Sequence, residues 1–144
     1  MGARGTGRES ALQMLFALEA GSLGVEQVIA AYWRNADPDM WGGSAPDAES
    51  RAYADAIVRG VAEGQEACDE AIRKASTNWR LERMARVDRN VLRLGTWELM
   101  QKGVVPRAVV LDEAVELAKR FGTEDSGAFV NGVLDRIADD LGVV

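Results

Sequence analysis

The stretch that most limits how this chain can fold is residues 83–100, RMARVDRNVLRLGTWELM. On a helix, Met84, Ala85, Val87, Val91, Leu92, Leu94, Gly95 and Leu99 cover about half the circumference, roughly twice the stripe that a surface helix needs. The pattern predicts a central helix packed on more than one side. Arg86, Arg89 and Arg93 recur at helical spacing on the opposite face as a basic ridge. Asp88 and Glu98 fall inside the apolar arc. A buried acid is costly unless paired or hydrogen-bonded, so each marks either a structural tie or an interface.

The rest of the chain reads as helices around this one. Thr6 and Glu9 have the spacing of a capping box, and Ala11, Leu12, Leu15, Phe16 and Leu18 extend a first helix over about residues 7–20. Val25, Val28, Ile29, Tyr32 and Trp33 make a second stripe. The Asn, Asp, Pro and Gly that follow predict a long loop over 35–49, in which Met40 and Trp41 read as a plug on the core surface. Tyr53, Ile57, Val58 and Val61 give a third helix, capped by Asp47 or Ser50 and ending near Gly64. Cys68, Ile72, Ala75 and Trp79 continue the period as a fourth, with a boundary near Thr77 and Asn78. After the central helix, Pro106 suits the first turn of a sixth, bearing Val110, Ala114, Leu117, Ala118 and Phe121. A seventh, capped by Asp125 or Ser126, carries Phe129, Val130, Val133, Leu134, Ile137 and Leu141. About seven helices and no long alternating stretch predict an all-α bundle, with no internal repeat.

With 144 residues, 47% of them hydrophobic and 28% charged, the chain has the make-up of one globular domain spanning 1–144. It lacks the roughly 18 consecutive apolar residues of a membrane span and an apolar signal-peptide core at its N-terminus, so a cytoplasmic protein is expected. The chemistry of an enzyme is missing. There is no histidine, the lone Cys68 sits on an apolar face, and no phosphate-binding glycine loop or nucleophile elbow occurs. Catalytic residues, metal site and cofactor are all expected to be none.

The net charge of −6 argues against nucleic-acid binding, yet its distribution is uneven. Arg73, Lys74, Arg80, Arg83, Arg86, Arg89 and Arg93 face only Glu82 and Asp88 within their stretch. This patch reads either as a solvated helical face or as a local binding surface on an acidic protein. Arg4 and Arg8 lie on a glycine-containing segment, of which residues 1–7 read as a flexible basic arm able to follow a phosphate backbone. Phe16, Phe121 and Phe129 read as core or as faces for unstacked bases. Ser126 and Asn131 read base edges, or merely cap and pack.

Three segments together carry a resemblance: RESALQMLFALE near the N-terminus, NWRLERMARVDRNVLRLGTWEL, and VPRAVVLDEAVELAKRFGTEDSGAFVNGVLDRI. In order and spacing they resemble the NusB family of transcription antitermination factors over about residues 8–137. The resemblance implies two packed helical subbundles, and a non-enzymatic protein that binds boxA RNA together with NusE, a small-subunit ribosomal protein. The complex would act on the RNA polymerase elongation complex, making transcription of ribosomal RNA operons processive.

The implied RNA positions are Arg4, Arg8, Phe16, Phe121, Ser126 and Phe129, with Asn131 nearby. Asp88 matches an acidic contact for NusE, with Glu82, Arg86 and Arg89 as neighbours, and Asp125 matches an acidic position that would moderate RNA affinity. The chain departs from the family at the variable loop and at the arm, where glycines separate just two arginines. Fewer phosphate contacts predict weak RNA binding alone, low salt sensitivity and greater dependence on NusE. Two alternatives are a helical adaptor that keeps the NusE surface with weak RNA affinity, and the NusB-like RNA-binding domain of ribosomal RNA cytosine methyltransferases. The sequence is compatible with a monomer or a homodimer.

Overall fold

The computed structural model describes residues 2–37 and 46–144; the expected Met40–Trp41 plug lies outside them. The described residues form seven α-helices and one 3-10 turn, with no strand among them, in two compact units, 1–62 and 63–144.

The first unit holds α1 (Ala3–Ala20), α2 (Val25–Arg34) and α3 (Ala48–Glu63), whose last residue marks the boundary. Helix α1 starts earlier than the capping-box reading places it. Its N-cap is Gly2, and Thr6 N–H donates to the Gly2 carbonyl at 3.0 Å, so residues 3–7 are helical turns instead of an arm. Glycines in a helix each cost about 1 kcal/mol relative to alanine. Packing accounts for Gly7: a Cβ there would come within 2.9 Å of the Ser50 carbonyl oxygen and 3.2 Å of Tyr53 Cβ, so glycine lets α1 lie close against α3. Asp47 begins α3, its Oδ1 accepting Ser50 N–H at 2.8 Å. Helix α2 is tied to its neighbours by Tyr32, whose hydroxyl donates to Gln13 Oε1 at 3.0 Å, and by Trp33, whose Nε1 donates to Asp55 Oδ1 at 2.8 Å.

The second unit holds α4 (Gln65–Ala75), the 3-10 turn (Leu81–Arg83), α5 (Arg86–Met100), α6 (Arg107–Phe121) and α7 (Ser126–Leu141). Helix α5 packs against α4, α6 and α7, the position its wide apolar arc predicts. Val91, Leu92, Leu94 and Leu99 are buried, and truncating such a leucine to alanine costs about 2–5 kcal/mol. A Cβ on Gly95 would meet Leu134 Cδ1 at 2.7 Å, so this glycine sets how closely α5 and α7 approach. Arg107, the first residue of α6, reaches α7 and the chain beyond it, donating to Asp135 Oδ1 at 2.7 Å and to the Val143 carbonyl at 2.8 Å.

The basic ridge predicted on α5 is not continuous. Arg86 is exposed, but Arg89 turns back to donate to the Met84 carbonyl at 3.0 Å, and Arg93 is buried. Arg93 forms a two-pronged pair with Asp69 of α4, Nε to Oδ1 at 2.8 Å and Nη2 to Oδ2 at 3.2 Å. Four-helix packing leaves α5 too little free circumference for three solvated arginines.

Candidate functional site

Irregular backbone and the 3-10 turn link α4 to α5 in the second unit. Helix α4 stops at Ser76, whose hydroxyl donates to the Ile72 carbonyl at 2.6 Å and so ends the helix from within. Trp79 therefore leaves the apolar stripe of the fourth helix to which its spacing assigned it. It is 62% exposed and meets Phe129 of α7 edge to face, with ring centroids 5.9 Å apart at 78°. Helix α5 restarts after Ala85, placing Asp88 in its first turn, where a carboxylate complements the helix dipole.

These segments enclose a hollow of about 380 Å³ lined by Trp79, Arg83, Asp88, Asp125, Ser126 and Phe129, among others. It brings together one position expected to meet a protein partner, Asp88, and three associated with RNA: Asp125, Ser126 and Phe129. Trp79, which sequence reasoning missed, also borders a hollow with Arg73, Asn78, Arg80 and Glu82, and another with Phe129 and Val133. Its signal was the Thr77–Asn78 turn pair immediately before it, which outweighs the helical period.

The remaining predicted residues divide by exposure. In the first unit Arg4 is exposed and Phe16 half-buried, whereas Arg8 is only 2% exposed. The guanidinium carbons of both arginines lie over the Tyr53 ring, at 5.4 and 5.5 Å from its centroid. Burial and the Tyr53 contact make Arg8 a brace between α1 and α3. In the second unit Ser126 is also buried, its Oγ accepting Thr123 N–H at 3.0 Å, so that hydroxyl closes the α6–α7 turn. Phe121 is half-buried, with the Arg120 guanidinium over its ring at 5.3 Å. Asn131 is exposed but opens on a different hollow from Phe129, beside Asp112, Glu116 and Lys119. Glu82 and Arg86 are exposed and Arg89 half-buried; a hydrogen bond from its own backbone, helped by Arg73 at 3.5 Å, holds the Glu82 carboxyl below the usual range.

Burial pushes the Cys68 thiol up to about 11, so it stays protonated at neutral pH. No group of three or more metal-ligating side chains occurs among the described residues. No helix among them is long and apolar enough to cross a membrane.

The profile of the NusB family matches residues 6–139. A transcription antitermination protein NusB from Sorangium cellulosum is 69% identical over 144 residues, covering 100% of this chain and 97% of the relative. A solved structure of T. maritima NusB has a TM-score of 0.75 at 36% identity, covering 96% of this chain and 89% of that one. The structure of antitermination factors NusB and NusE in complex with dsRNA has a TM-score of 0.79 at 24% identity, over 96% of this chain and 97% of that one, a likeness in fold. The chain belongs to the NusB family.

Proposed function

We propose that this protein is a cytoplasmic transcription antitermination factor that binds boxA-type RNA together with NusE and acts through RNA polymerase on ribosomal RNA operons, without catalysing a reaction. The observation that carries the reading is the full-length, 69% identical relative that bears the name transcription antitermination protein NusB. Exposed Arg4 and Asn131 and half-buried Phe16, Phe121 and Phe129 supply the RNA contacts. Arg8 and Ser126 hold those contacts in place from within. Asp125, exposed beside Phe129 in the same hollow, opposes phosphate and moderates affinity. Glu82, Arg86, Asp88 and Arg89 form the NusE surface.

The burial of Arg8 favours a protein that binds RNA weakly by itself. It withdraws one of the two arginines of residues 1–8 from phosphate, in a chain of net charge −6. A helical adaptor that recruits NusE and leaves most RNA affinity to the complex is the second reading supported by that observation.

Titrating a labelled boxA-type RNA between about 50 and 200 mM salt, with and without NusE, tests both. The expected outcome is weak binding alone, a slope shallower than about −2, equivalent to fewer than roughly three single-strand phosphates, and marked tightening by NusE. Tight binding alone with a steep slope contradicts the dependence on NusE. NusE binding without any gain in RNA affinity leaves the adaptor, and binding to neither overturns the assignment.

A further inference from the structure

The hollow beside Asp88 has a chemistry that RNA contacts leave unused. Asp88 Oδ1 is closed off from water and has no hydrogen-bond partner among the described residues. Such an oxygen has lost its hydration and gained no donor in return. The same wall carries a second carboxylate, Asp125, and two aromatic rings, Trp79 and Phe129, against a single guanidinium, Arg83. In the edge-to-face arrangement of Trp79 and Phe129 at least one ring keeps a face uncovered by the other.

Carboxylates beside aromatic faces make a cation site, because the ring quadrupole and the negative oxygens attract the same charge. A nucleobase stacked on Trp79, in addition to one on Phe129, would bring its phosphates toward Asp88 as well as Asp125. A guanidinium suits the hollow better: it is planar, stacks on an aromatic face, and offers five donors to carboxylate oxygens. Trp79 and Arg83, which line the hollow together with Asp88, are both exposed, so the rim next to the sealed oxygen is open to a partner side chain.

We propose that this hollow receives one arginine side chain of the protein partner, stacked on Trp79 and donating to Asp88. The inference rests on the reading that this face binds NusE, and it adds Trp79 and the chemistry of the inserted residue. Trp79 then acts as an anchor-residue receptor of the kind on which binding energy concentrates.

The test measures binding of labelled NusE to wild type, Asp88→Asn, Trp79→Ala and Trp79→Phe, and repeats it with each NusE arginine replaced in turn by methionine. Asp88→Asn and Trp79→Ala are each expected to weaken binding about tenfold with melting temperature unchanged, and Trp79→Phe to retain most of the affinity. One NusE arginine variant is expected to weaken binding to wild type and to cost clearly less in the Asp88→Asn background, where only its stacking on Trp79 remains to be lost. Additive losses for every arginine, or unchanged affinity in Asp88→Asn and Trp79→Ala, overturn the proposal. Loss of RNA affinity with NusE binding intact overturns it too, and assigns the hollow to a base. Absence of NusE binding by the wild type is a separate result: it removes the functional reading and the inserted arginine with it.

Discussion

Helix α5 carries charge into the protein at Arg93 and at Asp88, and the two positions are treated in opposite ways. Arg93 is 8% exposed and fully engaged: its fork meets both oxygens of Asp69, each side chain about 10% exposed. Asp88 is half-buried, with one oxygen shut away from water and left without a donor among the described residues. Thr96 Oγ1, on the same helix, is also buried without a partner among the described residues, but Asp88 is the one that lines the hollow with Trp79 and Phe129. On the proposal made above, the difference separates a structural tie from a partner surface. Unmet polarity next to a hollow, not charge as such, is then what marks the binding end of the helix.

The largest effect expected from breaking this comparison is at the structural tie. Asp69→Ala leaves the Arg93 guanidinium buried without its carboxylate and should cost about 3–5 kcal/mol, read as a fall in thermal or denaturant midpoint. Replacing both partners with apolar residues of similar volume should recover most of that stability, because no uncompensated charge remains. A loss below about 1 kcal/mol for Asp69→Ala would place the pair among weak surface bridges and erase the contrast with Asp88.

A smaller effect is expected where α5 meets α7. Gly95→Val forces a side chain onto Leu134, whose Cδ1 already lies 2.7 Å from the position of an added Cβ, and should cost about 1–3 kcal/mol by overpacking. Because Phe129 belongs to α7, the same variant should also disturb the Trp79–Phe129 contact. A change in tryptophan fluorescence that is absent when the substitution is made in a Trp79→Phe background sharpens the link between core packing and the hollow.

How much of this was legible in the sequence depends on which force decided each feature. The central place of α5 was legible because its apolar arc is too wide for a surface helix, and three helices cover it. The start of α1 was not. Local propensity puts glycines outside helices, while close packing of Gly7 on Ser50 and Tyr53 draws them in. Arg93 was read as part of a ridge because helical spacing reports a face but not which neighbour covers it. The burial of Arg8 was hidden for the same reason, since its cover comes from Tyr53 and long-range packing. Trp79 fitted a helical period that the Ser76 cap interrupts, so a residue assigned to core became the exposed wall of a hollow. Asp88 was singled out correctly as an acid needing an explanation, and the structure sharpened the problem to one oxygen.

The most direct test of the central claim is a paired measurement on Asp88→Asn, stability by thermal unfolding and affinity for NusE by titration. The substitution keeps the shape and removes the charge. The account predicts a stability within about 0.5 kcal/mol of wild type, as for a position outside the structural core, together with markedly weakened NusE binding. A clear loss of stability with NusE affinity unchanged would contradict it, making Asp88 a structural tie like Asp69.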